Sequence, residues 1–185
     1  MKRNIIILLL LYSMSILSQN LSVYGVSLGE KKYIVENILV GKGKTIKYDK
    51  TDDGRVFLRI DSPILGEVKY GFANFYIDKN NLVNKIIFVL HGDAGLGAPN
   101  GPWASGFRQQ SIACERAFIT MLGTLKMKYG EPNIESKNNI VWIKKNQRIS
   151  LEWTYRYDKD AMGWIIFDVR TALVYEKIDV HSSDF

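Results

Sequence analysis

Cysteine is almost absent from this sequence. The 185 residues contain only one, Cys114. A single cysteine has no partner for a disulfide within the chain, so the hydrophobic core must stabilise the fold without cross-links. No cysteine follows the apolar segment near the N-terminus, which argues against the lipid anchor of a bacterial lipoprotein. Cys114 falls on the apolar stripe of a predicted helix, where a thiol is typically buried and inert. We therefore predict a core residue at this position rather than a nucleophile.

Sequence motifs of common active sites are also missing. The chain has two histidines and contains no H-E-x-x-H, C-x-x-C, G-x-S-x-G or G-K-[ST] motif. These absences argue against a zinc protease, a paired-cysteine metal site, a serine hydrolase and a P-loop. Glu152 and Asp158 lie on one face of a predicted strand, about 20 Å apart, which is too far for either glycosidase geometry. We predict no catalytic residues, no metal site and no cofactor, and we do not expect an enzyme.

Long runs of one charge are lacking as well. The formal net charge is +6, from 25 basic and 19 acidic residues, and no block of five lysines occurs. Scattered basic residues are typical of solvated faces rather than of a nucleic-acid-binding arm. We therefore expect no nucleic-acid partner.

The N-terminus resembles a secretory signal. Lys2 and Arg3 precede a short apolar segment over residues 5–17, and small residues follow it. Thirteen helical residues rise about 20 Å, which is too short to cross about 30 Å of hydrocarbon. We predict a signal peptide over residues 1–18, with cleavage after Ser18 or Ser22. The mature protein is expected to be periplasmic or secreted, without stable membrane insertion.

The first half of the mature chain, residues 23–90, predicts a short strand, a helix and four strands. Ile34, Val35, Ile38 and Leu39 recur at helical spacing, and glycines follow them. The helix is predicted to begin at Ser27 or Gly29. The four strands are predicted over 45–48, 55–60, 67–77 and 82–90, and the last of them is apolar on both faces, as in a central strand.

A Gly/Pro-rich stretch, residues 91–106, predicts a long connector. Gly92, Gly95 and Gly97 do not match G-x-G-x-x-G, and two prolines separate them from the next helix, so a phosphate site is not expected. His91 and Asp93 are too few ligands for zinc, even together with His181.

Four residues in and beside this connector are the candidate site for a ligand or partner: His91, Asp93, Trp103 and Arg108. A loop tryptophan near an arginine is a common contact pair in interfaces. An equally good interpretation is that Trp103 anchors its own loop.

The second half, residues 107–180, predicts a helix followed by three or four strands. Apolar residues from Phe107 to Tyr129 form one helical stripe, and Gly130 ends the helix. Residues 147–157 alternate apolar and polar side chains, which predicts a strand with one packed and one solvated face. Trp142, Trp153 and Trp164 recur every eleven residues. They indicate either a large core or an aromatic surface patch, and the core interpretation is favoured.

The element order predicts a two-layer α+β fold in which helices pack on an antiparallel sheet. Because each half combines a helix with about four strands, a tandem duplication is a further hypothesis. Helices on opposite faces of one sheet would argue against it.

Three segments carry a resemblance to known proteins. "YGVSLGEKKYIVENIL", "NNLVNKIIFVL" and "LKMKYGEP" followed by "IVWIKKNQRISLEW" resemble small exported α+β proteins of Bacteroides-type bacteria, a group that is mostly uncharacterised. The tandem build is also similar to that of β-lactamase inhibitor proteins. The resemblance implies a fold and supplies no catalytic residues.

Three functional hypotheses follow. The first is an extracytoplasmic, non-enzymatic binding protein that takes a protein or an envelope component on the 91–108 loop or on the open sheet face. The second is an envelope hydrolase, which requires His91, Asp93 and Arg108 to meet in a pocket. The third is a periplasmic inhibitor or immunity protein with one tight protein partner.

Overall fold

The computed structural model describes residues 22–97, 103–159 and 165–178, without the side chains of 92–97, 103–108, 157–159 and 165–167. The predicted signal peptide, Trp164 and His181 lie outside the described residues. No helix in the described ranges is both long enough and apolar enough to span a membrane.

The described residues form two helices and twelve strands. In chain order these are β1 Ser22–Val23, β2 Val26–Ser27, α1 Lys32–Gly41, β3 Lys47–Lys50, β4 Val56–Asp61, β5 Ile64–Leu65, β6 Val68–Lys69, β7 Phe72–Ile77, β8 Val83–Gly97, α2 Trp103–Tyr129, β9 Ile134–Glu135, β10 Asn139–Lys144, β11 Gln147–Lys159 and β12 Ile165–Lys177.

Eight of the strands form one antiparallel sheet in the order β3-β4-β7-β8-β12-β11-β10-β9. The first half of the chain contributes four adjacent strands and the second half contributes the other four. The two sets meet where β8 pairs with β12, and this pair therefore lies at the centre of the sheet. The other four strands form two short hairpins outside the sheet.

Both helices contribute to one hydrophobic core on one face of the sheet. Val35 and Leu39 of α1 belong to the same buried cluster as Phe118 and Met121 of α2. Phe88, at the centre of β8, is fully buried in this cluster. The prediction of a two-layer α+β fold with helices on an antiparallel sheet is confirmed in this form.

The long helix α2 follows the predicted stripe. Cys114, Phe118, Met121, Leu125 and Tyr129 are all buried on it. Gly130 ends the helix at φ 78°, and its N–H donates to the Lys126 carbonyl at 2.8 Å. A left-handed residue after the last turn is the usual requirement for glycine at a helix end.

The second half forms the predicted hairpin and one long final strand. β10 and β11 turn at Lys145, which has φ 57°, and Asn146. β12 runs without interruption through residues 165–177 and pairs along its whole length with β11. Trp142 is fully buried and its Nε1 donates to the Gly130 carbonyl at 2.8 Å. Trp153 packs against Phe118 at the edge of the core, so the core interpretation is correct for both of these tryptophans.

Two elements of the first half begin later than predicted. α1 begins at Lys32 because residues 29–31 pair with the start of β8, where the Gly29 N–H donates to the Val83 carbonyl at 2.7 Å. The predicted strand over 67–77 is divided, since residues 64–69 form the hairpin β5–β6 around Gly66 and β7 begins at Phe72.

The main difference concerns the predicted connector over residues 91–106. β8 continues through Gly97, and α2 begins at Trp103. The backbone of 91–97 pairs with β12 despite its three glycines, because the ladder supplies the hydrogen bonds that a loop would leave to water. The prediction of a loop is therefore wrong for 91–97 and for 103–106.

Candidate functional site

The sheet face that the helices leave open carries a groove, which we call the open-face groove. It has a volume of about 350 Å³. Alternate residues of four neighbouring strands, β7, β8, β12 and β11, line it, because successive side chains on a strand point to opposite faces. Its volume lies within the range of small-molecule binding sites.

Short side chains form the floor of the open-face groove. Val89, Ala172 and Val174 are each at most 8% exposed, although no helix covers this face, and Ile87 is partly buried beside them. The floor is thus an apolar depression that longer side chains surround.

One end of the groove is an ion-pair ladder. Glu176 of β12 lies between Lys85 Nζ, at 3.1 Å, and Arg148 Nε, at 3.8 Å. One carboxylate therefore serves two cations, and each of the three side chains is only partly exposed. Both cations at this end therefore have an ion-pair partner, although they share one carboxylate.

The other end combines aromatic rings with positive charge. His91 of β8 and Arg170 of β12 are direct partners across the two strands. The centroid of the His91 ring lies 5.4 Å from that of the Phe72 ring. Arg59 Cζ lies 4.0 Å from the centroid of the same Phe72 ring. Cation–π contact at this distance holds the Arg59 guanidinium in place.

The surroundings of His91 favour its neutral form, because they lower the pKa of the ring. Partial burial lowers the pKa of His91, and the nearby positive charges of Arg170 and Arg59 lower it further, whereas the charge of Asp168 raises it. The pKa of His91 therefore lies below its ordinary value. At neutral pH the ring can both donate and accept a hydrogen bond.

Asn74 supplies an unpaired polar atom at the groove. Its side chain is 9% exposed, and its Oδ1 is buried without a hydrogen-bond partner among the described residues. A buried polar atom without a partner costs about 1–3 kcal/mol. Arg148 Nε, towards the opposite end of the groove, is a second buried polar atom without a hydrogen-bond partner among the described residues.

Of the four residues predicted as a site, the structure places His91 in the open-face groove. Asp93 lies two residues further along β8, Trp103 is the first residue of α2, and Arg108 follows in the same helix. The side chains of these three lie outside the described ones. Their role in a contact surface stays a prediction.

Sequence reasoning missed the remaining groove residues because no short motif contains them. Phe72 and Asn74 come from β7 and Arg170 comes from β12, two strands that are distant in the sequence and lie on either side of β8 in the sheet. The alternation along β11 was the available signal, since it marked Ser150 and Glu152 as facing away from the core. Ser150 is nevertheless only 2% exposed, so this face is not fully solvated.

A second cavity, of about 560 Å³, lies between the start of α1 and two turns of the sheet. Its carboxylates already have structural partners. Asp78 accepts hydrogen bonds from the N–H groups of Asn80 and Leu82, and Asp53 accepts from Thr51 and Arg55. These contacts hold turns, so both carboxylates of this cavity have structural roles.

Neither a metal centre nor a nucleophile is evident in the described part of the chain. No three His, Cys, Asp or Glu side chains converge there. Cys114 is 1% exposed, and its Sγ lies 3.7 Å from the Leu90 carbonyl oxygen. The thiol is therefore the packed core residue that its place on the helical stripe predicts.

The chain matches no family model, no curated protein and no solved structure. A functional conclusion consequently depends on the geometry and chemistry of the site itself.

Proposed function

We propose that this protein is an extracytoplasmic, non-enzymatic binding protein and that it takes a small ligand in the open-face groove. The observation that carries the proposal is the groove itself, an apolar floor with polar and charged groups at its ends. Ligand sites commonly combine a largely apolar surface with a few placed polar groups. The unpaired Asn74 Oδ1 adds support, because a ligand or a water molecule can satisfy it.

The proposed location outside the cytoplasm is supported by the secretory pattern of the first residues. A duplication origin belongs to the same proposal. It is supported by the sheet order, in which each half of the chain supplies four adjacent strands, and by the helices that share one face. The hydrolase and inhibitor hypotheses stay predictions.

The test uses a neutral apolar fluorophore, N-phenylnaphthylamine, and a variant that fills the groove. Ala172 lies on the floor and is 8% exposed, so Ala172→Trp places an indole where the ligand would lie. We expect the wild-type protein to bind the fluorophore and the variant to bind it roughly tenfold more weakly.

The matched control is Ala113→Trp, which makes the same substitution at an exposed position of α2. This variant should bind the fluorophore as the wild type does. Equal binding by wild type and Ala172→Trp, with both proteins folded by circular dichroism, would exclude the groove as the binding site.

A further inference from the structure

The two ends of the open-face groove differ in how their cations are paired. Arg170 is exposed, and its Nε donates to the Thr154 hydroxyl at 3.4 Å. No described carboxylate lies within ion-pair distance of its guanidinium, whereas Lys85 and Arg148 share Glu176 at the opposite end. The groove is therefore electrostatically asymmetric along its length.

We propose that the open-face groove binds an amphipathic organic anion, whose acidic group lies against Arg170 and His91 and whose apolar body covers the floor. This inference rests on the proposed function and adds to it the charge and the orientation of the ligand.

The geometry of the cationic end suits an acidic oxygen group. A guanidinium offers several N–H donors in a planar fork, which matches the oxygens of a carboxylate or a related anion. The imidazole of His91 lies on the neighbouring strand directly opposite Arg170 and provides a further donor. Because Phe72 packs against His91, one side of the ring is shielded from water and its position is restrained.

The apolar body has one direction in which to extend. From the row of His91, the floor residues Val89 and Ile87 follow along β8 towards Lys85. Six residues of strand span about 20 Å, so a molecule with an apolar body of moderate length can contact both the cationic end and the floor. The Lys85–Glu176–Arg148 ladder closes the other end, where both cations already have an ion-pair partner.

Charged groups on four strands face His91 or lie close to it. β4 contributes Arg59, which is paired with Asp61 at 3.4 Å. β12 contributes Arg170 and Asp168, and β11 contributes Glu152. Asp93 lies two residues away on β8 itself. Asp168 raises the pKa of His91 while Arg170 and Arg59 lower it, and a bound anion adds a further charge that raises it.

The first experiment compares two fluorophores that share one hydrocarbon skeleton, N-phenylnaphthylamine and its sulfonate, anilinonaphthalene sulfonate. We expect the purified full-length protein to bind the sulfonate about ten times more tightly than the neutral compound. Arg170→Gln should weaken sulfonate binding about ten- to a hundredfold, as the loss of a charged hydrogen bond does, and leave neutral binding within about twofold.

The control variant is Arg116→Gln, which removes the same charge from an exposed position of α2 on the helical side of the sheet. It should leave both affinities unchanged. If Arg116→Gln and Arg170→Gln weaken sulfonate binding equally, net charge explains the effect and the proposed site is wrong.

The second experiment follows the His91 ring by nuclear magnetic resonance. The chain has only two histidines, and His91→Gln identifies the signal of His91. We expect the pKa of His91 to rise when the sulfonate binds and to remain unchanged when the neutral compound binds, because only the anion stabilises the protonated ring. An unchanged pKa at saturating sulfonate contradicts the proposal.

The two proposals fail in distinguishable ways. If the neutral compound binds in the groove and Ala172→Trp abolishes this binding, but the sulfonate gains nothing from Arg170, then the binding function stands and the anionic ligand is excluded. If neither compound responds to Ala172→Trp, the proposed function itself is excluded.

Discussion

Two adjacent isoleucines of β8 provide a matched test of which sheet face is covered. Ile86 is fully buried under the helices, between Phe75 of β7 and Tyr175 of β12. Ile87 is partly buried on the floor of the open-face groove. Both residues belong to the same two ladders, so Ile86→Ala and Ile87→Ala remove the same atoms and the same strand propensity.

The expected cost differs because only one truncation leaves a closed cavity. Removing three buried carbons from Ile86 costs about 2.4 kcal/mol of transfer free energy, at about 0.8 kcal/mol for each carbon. The cavity left behind brings the total to about 3–4 kcal/mol. Water can enter the groove beside Ile87, and part of that side chain is already exposed, so its truncation should cost about 1 kcal/mol.

Urea unfolding, followed by circular dichroism, measures the two costs, and the slope of the free energy against urea should be equal for both variants. A difference of about 2–3 kcal/mol corresponds to about 4–12 °C in melting temperature for a chain of this size. Binding of N-phenylnaphthylamine gives a second readout, since Ile87→Ala alters the groove and Ile86→Ala does not touch it. Equal costs would mean that the open face is covered by another part of the protein, and a reversed order would refute the register of β8.

Three further predictions concern single contacts. Thr171→Val should lower the free energy of unfolding by about 1 kcal/mol, because the buried Thr171 hydroxyl donates to the Cys114 carbonyl at 2.6 Å and joins β12 to α2. Thr171→Ser should retain this hydrogen bond, and an unchanged urea midpoint for Thr171→Val would contradict the prediction. The Cys114 thiol should react with a thiol reagent only as fast as the protein opens, since it is 1% exposed, and an immediate reaction with the native protein would disprove its burial. The pKa of His91 is lowered in the folded state, so the unfolded chain binds the proton more readily. The contribution of neutral His91 to stability is therefore fully present above the pKa of the unfolded state and is lost as the pH falls through the pKa of the folded state. Below the ordinary histidine pKa of about 6.5, urea unfolding should therefore show a steeper loss of stability for the wild type than for His91→Gln, and parallel curves would argue against this assignment.

Periodicity predicted the elements whose two faces differ in burial. The stripe from Cys114 to Tyr129 gave α2, since residues three or four apart meet on one side of a helix. The alternation along β11 gave the strand, and its turn at Lys145 and Asn146 was placed correctly. In both cases neighbouring residues alone determine the pattern, so the sequence carries the signal locally.

Strand propensity failed where pairing partners determine the structure. Gly92, Gly95 and Gly97 favour a loop when considered alone, because glycine loses the most backbone freedom in a strand. The partner strand β12 is long and regular, and its pairing with β8 extends from Lys85 to Gly97. Tertiary pairing thus overrides the local preference, and no feature of residues 91–97 themselves reveals it.

Burial on the open face was equally hidden from sequence reasoning. Ser150 and Tyr155 belong to the same strand, yet the serine is 2% exposed and the tyrosine is 49% exposed. The serine is buried because it lies in the centre of the sheet among residues of β12 and β10, and the tyrosine lies towards the end of β11. The two side chains point to opposite faces of the sheet, and the apolar and polar alternation along β11 does not reveal that the serine of the open face is the buried one.

The irregular pairing next to His91 connects the glycine-rich segment with the groove. Arg170 pairs with His91 and Asp168 pairs with Ala94, so β8 has three steps where β12 has two. This extra residue is a β-bulge in Gly92 or Asp93, and bulges are common beside functional sites because they alter the direction of the strand and of its side chains. Glycine tolerates the backbone conformations that a bulge requires. The structural effect of the residues after His91 is to interrupt the regular pairing of β8 immediately beyond the residue that faces Arg170, and the pairing resumes at Ala94.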